Sequence, residues 1–381
     1  APSHASRVDS GVDVPELKGD RDIRAFLLRY KPFDFAMALE QAFTRLENHA
    51  ELVKGVLKLA CGEIQDSNPA PIPKLPSSKD QGIVEGIWQM PWSLLWGPPG
   101  TGKTQNVADA LARHALANGA GKILVVTPTN LAADEVAHRI CGILDKSGKL
   151  NTPRGCLIYR GGRGAGKKLS KDFPQSLRDE AYAREYDAKR RQMEELIEQR
   201  DNARHRRQYS EASKINKQLQ GLRATLPDET MFAITKGAAR VIILTTFRAL
   251  ALVGQGENPA LVDKVIVDEA GMVSRLTTAA MATIGKSVML AGDPKQIGPI
   301  YALPPGASKE IRTWLLKSGL SHLVSVKESL QYPHVRFLEL QYRMHPDISK
   351  AASEFTYDGI LKDADNAKLL AKDPPASPKL P

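Results

Sequence analysis

The spacing of apolar residues changes several times along the chain, and each change predicts a different element. From Arg21 to Ile64 apolar positions recur at helical intervals: Ile23, Phe26 and Leu27, then Met37, Leu39, Phe43 and Leu46, then Leu52, Val56 and Leu59. Pro32 interrupts the first of these runs, so residues 21–66 read as a small helical prefix. Residues 1–20 are polar and short of large side chains, which predicts disorder, and residues 67–78, with four prolines, read as a linker. The pattern then becomes one of short apolar runs separated by helix-spaced stretches. The runs are Ser93-Leu94-Leu95-Trp96, 122–126, 155–159, 240–244, 264–268 and 287–291, with helical spacing over Gln105–Ala117 and Leu131–Leu144. Continuous apolar strands alternating with amphipathic helices predict an α/β fold, a parallel sheet covered on both faces.

Residues 172–226 break that alternation. No proline lies between Pro174 and Pro227, and charged or amide residues dominate. Tyr182, Tyr186, Met193 and Ile197 form one stripe, Ile215, Leu219 and Leu222 another, with Arg200, Arg204, Arg206 and Arg207 between them. This predicts a long helical hairpin inserted in the sheet domain; its arginines suit either phosphate contact or a solvated face. A further strand over 335–340 and a last helical stretch precede a Pro-rich end, 373–381.

Composition narrows the class. The 381 residues are 42% apolar and 25% charged, an ordinary globular balance with enough chain for more than one lobe. Lys and Arg exceed Asp and Glu by 53 − 43 = +10, a surplus that suits a polyanionic partner, nucleic acid being the commonest. Cys61, Cys141 and Cys156 are far apart and lack histidines at zinc spacing. They read as reduced thiols of an intracellular protein, cytoplasmic or nuclear. No apolar run reaches membrane-spanning length, so no membrane partner is expected. The chain starts at Ala1, as a processed, trimmed or excerpted one would.

The candidate chemistry centres on Gly97, Pro98, Pro99, Gly100, Thr101, Gly102, Lys103 and Thr104, set between a strand and a helix. That is the spacing of a P-loop. Its glycines let backbone N–H groups turn around a polyphosphate, Lys103 reaches the β- and γ-phosphates, and the Thr104 hydroxyl holds Mg²⁺. A near repeat, 161–168, ends in Lys168 where a metal-binding hydroxyl is needed, and reads instead as a basic loop near a phosphate backbone. Asp268 and Glu269 end an apolar strand as a Walker B pair does: Asp268 for the metal, Glu269 to deprotonate the attacking water. Gln296, after the next strand, is placed to sense the terminal phosphate, although Gly292–Gln296 also reads as a plain turn. In Gln341–Pro346, Tyr342 suits stacking on a base and Arg343 suits neutralising the transferring phosphoryl; alone they would read as a core tyrosine and a surface arginine.

Taken together and in this order, 97–104, Thr127–Asn130, 268–271, 292–296 and 341–346 resemble superfamily 1 helicases, and in detail superfamily 1B, the group of the nonsense-mediated-decay RNA helicase. The Phe355–Gly359 turn fits the same group. The resemblance, from about Gln81 to about Leu361, implies a RecA-like P-loop domain over 79–171 and 227–330, and the start of a second, incomplete RecA-like domain over 331–381. It implies ATP and Mg²⁺ as cofactors and single-stranded nucleic acid as partner, with ATP-driven translocation in the 5′-to-3′ direction. It assigns Gln81 to adenine, Tyr342 to stacking on adenine, Arg343 as the first of two arginine fingers, and Pro128, Thr129, Asn130, Thr245 and Thr246 to the nucleic-acid backbone. The hairpin falls where relatives carry an accessory subdomain, and hairpin or prefix would meet any protein partner. Later motifs of the second lobe have no counterpart, which implies a portion of a longer protein; no β-barrel segment is evident before Gln81. A nucleotide-gated clamp that does not unwind, and an AAA-type protein remodeller sharing the P-loop string, are the alternative readings; the 341–346 block argues against the second.

Overall fold

The computed structural model describes residues 35–49, 82–117, 119–162, 166–206, 208–224, 228–255, 260–303 and 305–369. The predicted disordered start, the linker, Gln81, Cys61, the Pro-rich end and the middle of the basic loop (163–165) lie outside them, as does most of the helical prefix.

The described residues form eleven strands: β1 Trp92–Trp96, β2 Ile123–Thr127, β3 Asn151–Thr152, β4 Gly155–Cys156, β5 Ile158–Arg160, β6 Val241–Thr245, β7 Val262–Asp268, β8 Gly285–Gly292, β9 Val335–Phe337, β10 Leu340–Gln341 and β11 Lys362–Asp363. Seven of them make one sheet in the order β5-β6-β2-β7-β8-β1-β9, with every neighbouring pair parallel. A strand buried on both faces is apolar at nearly every position, which is why β1, β2 and β6 read as near-continuous apolar runs, with Ser93 and the threonines that end β2 and β6 as the small polar exceptions. Alternation then distributes their side chains between two cores. Ile123, Val125 and Ile266 pack with Val107, Leu111, Val136 and Ile140 of helices Lys103–Leu116 and Asn130–Lys146. Leu124, Val126, Val265 and Val267 pack on the opposite face with Leu250, Ala280 and Leu320.

Two sequence expectations change. The run 155–159 divides: β4 makes a small antiparallel pair with β3, and only β5 joins the sheet, beside β6. Residues 331–381 were expected to open a second lobe, yet β9 is the edge strand of the first sheet, in register Leu94↔Val335 to Trp96↔Phe337. Buried Val335 and Phe337 supply the reason, the Phe337 ring standing edge-on to Trp96 at 5.6 Å. The separate parallel pair β10–β11 follows it.

The hairpin consists of helices Glu180–His205 and Tyr209–Ala224. Its base stacks Tyr182 on Tyr186 at 5.3 Å and packs Tyr182 against Phe232 of helix Glu229–Thr235 at 5.5 Å. Below it the Lys122 Nζ donates to the carbonyls of Ala233, Gly237 and Ala239, and burial lowers that ammonium to about 8. Cys141 and Cys156 are buried and not joined in a disulfide, and burial pushes the Cys141 thiol up to about 12, an inert state. Among the described residues no helix is long and apolar enough to cross a membrane.

The described part of the prefix, helix Phe35–Leu46, buries Leu39, Ala42 and Leu46 in the second core. Arg45 donates from Nε to Val253 O (2.7 Å) and from Nη2 to Leu250 O (2.8 Å). It thereby caps carbonyls at and just past the end of helix Thr246–Leu250, adding to the Val253 N–H that reaches Leu250 O at 3.3 Å. Arg45→Ala is expected to lower stability by about 1–3 kcal/mol, read as a lower urea midpoint at unchanged m-value. An unshifted midpoint would mean that the prefix does not hold this helix.

Candidate nucleotide and nucleic-acid site

In a parallel sheet every strand delivers its C-terminal end to one edge, and loops there converge. β1, β8 and β7 end side by side, in register Trp96↔Gly292 and Asp268↔Ala291, so residues 97–104, 293–296 and 268–269 meet without any long excursion of chain.

The P-loop turns at Gly100, whose φ of +78° is the left-handed conformation glycine adopts freely. A Cβ there would also come within 2.6 Å of the Arg343 Cβ. Glycine is therefore required twice, for the turn and for the approach of the 341–344 segment. The Thr101 hydroxyl donates to Pro98 O at 2.8 Å and braces the loop, and the helix begins at Lys103.

The charged groups form one cluster. Lys103 has only 8% of its side chain exposed, and its Nζ lies 2.9 Å from Glu269 Oε2. The Thr104 Oγ1 donates to Asp268 Oδ2 at 3.4 Å. Asp268 is 1% exposed and its Oδ1 has no hydrogen-bond partner. Burial raises its carboxyl to about 6; Lys103 pulls it down, while Glu269 pushes it up. An orphaned carboxylate oxygen beside the Thr104 hydroxyl is the hard-oxygen donor set that Mg²⁺ takes, so these residues fit that ion. Glu269 sits at φ +54°, unusual for a residue with a side chain; such strain at the end of β7 accompanies the turn that brings both carboxylates to the P-loop.

Asp293 ties the surroundings together. Its carboxylate accepts from Trp96 Nε1 (3.0 Å), the Lys295 N–H (2.9 Å), Gln296 Nε2 (3.0 Å) and the Tyr357 hydroxyl (2.7 Å). Gly271 lets that loop come close, for a Cβ there would meet Asp293 O at 2.5 Å. Gln341, 0% exposed, donates to Met344 O and Asp363 Oδ1 and accepts from the N–H groups of Arg343 and Met344. The Tyr342 N–H reaches Gly100 O at 2.9 Å. Arg343 is thereby held on the rim of the P-loop cleft, while the Tyr342 side chain is 48% exposed.

The structure thus brings Lys103, Thr104, Glu269, Gln296 and Arg343 to one cleft, with Asp268 buried at its floor. Pro128–Asn130 and Thr245–Thr246 fall on the neighbouring strand ends, in register Thr127↔Thr245, and do not line that cleft. Thr129 caps helix Asn130–Lys146 by accepting the Ala132 N–H at 3.1 Å. Sequence reasoning missed Glu135 and Arg139, which reach the cleft from that helix, Arg139 donating to Gln105 Oε1 at 2.8 Å. Their four-residue spacing was visible in the sequence, but not which way their face points. It also missed Asp293 as a hub and Tyr357 as its partner.

Because the Asp268 carboxyl lies above its ordinary value, its ionised form costs the nucleotide-free protein stability above about pH 6, a cost that fades as pH falls toward 4. Asp268→Asn is expected to stabilise that form at pH 7.5 by on the order of 1–3 kcal/mol, with the gain shrinking as pH drops through 6. Thermal unfolding at several pH values checks this; a destabilised or pH-independent difference would contradict it.

One AAA-domain family model matches residues 74–302 and a second AAA-domain model matches residues 318–379. The chain is similar to a regulator of nonsense transcripts 1 homolog of Arabidopsis thaliana, 27% identical over 297 residues, covering 77% of this chain and 21% of that protein. It is similar to helicase SEN1 of Saccharomyces cerevisiae, 24% identical over 367 residues, covering 79% of this chain and 16% of that protein. It therefore spans about a fifth or less of the length of these relatives. Among solved structures it matches the Arterivirus nonstructural protein 10 helicase in complex with DNA at 14% identity, over 75% of this chain and 43% of that one. The TM-score of that match is 0.32, too loose a likeness to argue from. The first of the family matches covers more than half of the chain, including the P-loop and the Asp268-Glu269 strand end, and the chain belongs to the AAA-domain family, in the superfamily 1B helicase group of the nonsense-transcript regulators.

Proposed function

We propose that this chain carries the ATP-hydrolysing lobe of a nucleic-acid translocase or helicase that moves along single strands in the 5′-to-3′ direction. The observation that carries the reading is the Lys103–Glu269 pair, 2.9 Å apart, in a cleft that Arg343 rims. A triphosphate entering that cleft offers Lys103 a stronger partner than Glu269. Lys103 leaves the carboxylate for the β- and γ-phosphates, and Glu269 becomes free to take a proton from the attacking water. Arg343 neutralises charge on the transferring phosphoryl, and Gln296, steered by Asp293, meets the γ-phosphate or the water. Mg²⁺ held by the Thr104 hydroxyl and Asp268 would supply charge neutralisation between the β- and γ-phosphates. Tyr342 stacks on adenine, with Gln81 reading its edge.

Pro128–Asn130 and Thr245–Thr246 present the strand ends of β2 and β6 to the nucleic-acid backbone, so the two ligands occupy one sheet edge. In this reading the seven-stranded sheet with its hairpin is the first RecA-like lobe, and the chain from Leu340 onward opens the second. The named helicase relatives support a nucleic-acid partner, and the buried thiols suit an intracellular setting.

Glu269→Gln is expected to retain ATP binding and to lower strand-stimulated hydrolysis by about 10²–10⁴-fold. Steady-state ATPase assays with single-stranded RNA and DNA, paired with nucleotide binding by calorimetry, check it. Undiminished turnover would refute the role of Glu269, and loss of binding would place its contribution in the cradle rather than in the chemistry.

A further inference from the structure

Arg160 ends β5 with its side chain fully buried, an expensive place for a permanent charge. Each of its three guanidinium nitrogens nevertheless donates a hydrogen bond. Nε donates to Asp134 Oδ1 at 2.9 Å, Nη1 donates to Gly161 O, and Nη2 donates to Asn130 Oδ1 at 2.9 Å and to Asn130 O at 3.5 Å. The second oxygen of Asp134 accepts the Gly166 N–H, which closes the loop back onto the same helix turn. A buried ion pair is weak grounds for stability in itself, since a well-packed apolar pair does as well. What an apolar pair cannot do is hold the third group.

That group is Asn130, exposed at the start of its helix. Its carboxamide has one acceptor and two donor hydrogens, and Arg160 takes the acceptor. The Nδ2 donors then face away from the arginine, and no described residue accepts from them. A phosphodiester only accepts. A freely rotating asparagine would present its carbonyl oxygen to the phosphate half of the time, a repulsive contact; a locked one presents donors.

We propose that Arg160 is a positioning residue for nucleic-acid binding, fixing the Asn130 amide with its donors toward the sugar-phosphate backbone while Asp134 balances the buried charge. The inference rests on the assignment of Asn130 to the backbone made above and adds the device that orients it. Planarity makes arginine necessary. A lysine can keep the charge opposite Asp134, but all its donors sit on one atom, whereas Nε and Nη2 of the guanidinium meet Asp134 and Asn130 from separate positions.

The test is binding of fluorescein-labelled oligo(rU) and oligo(dT) to the full chain, by anisotropy, for R160K, N130A, the double variant and N130D. N130A is expected to weaken binding about ten- to a hundredfold, the loss of one hydrogen bond to a charged group, and R160K to do the same. The double variant is expected to bind no more weakly than N130A, because both remove one contact. Affinity for a fluorescent ADP analogue should not change. N130D leaves the buried pair intact and keeps the acceptor but has no donor, so it is expected to bind at least as weakly as N130A. If N130A binds as tightly as the unaltered chain, the assignment of Asn130 falls and this inference with it. If N130A is weakened but R160K is not, or if the two losses add in full, Asn130 touches the strand and Arg160 does not orient it. N130D binding like the unaltered chain overturns the donor argument even should R160K fail to fold.

Discussion

A lysine ammonium and two carboxylates packed at the end of a parallel sheet constrain everything around them. Lys103 is nearly buried, Asp268 is buried outright, and each would be costly alone. Their charges are tolerable only close to one another, with Lys103 paired to Glu269 beside Asp268, which demands that β1 and β7 end at the same height. The parallel order of the sheet, with β8 between them, meets that demand. Burial raises the Asp268 carboxyl, and the buried carboxylate that results is what a divalent cation would stabilise. Poor electrostatics without the ligand and good electrostatics with it are a mark of a site selected for binding rather than for stability.

The rest of the cleft is scaffolding built from buried polar residues. Asp293 gathers an indole, a phenol, an amide and a backbone N–H from three places in the chain, and so connects the P-loop strand through Trp96 to Tyr357 beyond the arginine segment. Gln341 does the same on a smaller scale, using both ends of its amide to fix the turn that carries Arg343. Arg160 plays the matching part for the strand-facing side. Each of these side chains is buried and multiply hydrogen-bonded, the condition under which a polar network rigidifies a site instead of weakening it.

What the sequence revealed follows from how local each signal is. The P-loop and the Asp268-Glu269 strand end need only a few residues and their flanks, and the structure brings them to one cleft. The two-sided sheet was legible because parallel strands buried on both faces are apolar nearly throughout. The hairpin helices were legible from their proline-free, charged stretch. Pairing partners were not. Nothing in Val335-Arg336-Phe337 says that it will lie against β1, and a three-residue strand has no periodicity to read. Glu135 and Arg139 advertise a helical pair but not its target. Arg45, Lys122 and Arg160 look like surface cations in the sequence, and only the fold shows them spent on carbonyls or a buried carboxylate.

The most direct test of this account is a crystal structure of the chain with Mg²⁺ and a non-hydrolysable ATP analogue. The account predicts that the Lys103 ammonium abandons Glu269 for the terminal phosphates and that Asp268 and Thr104 share the metal, with Arg343 facing the γ-phosphate. An analogue bound elsewhere, with Lys103 still paired to Glu269, would contradict it.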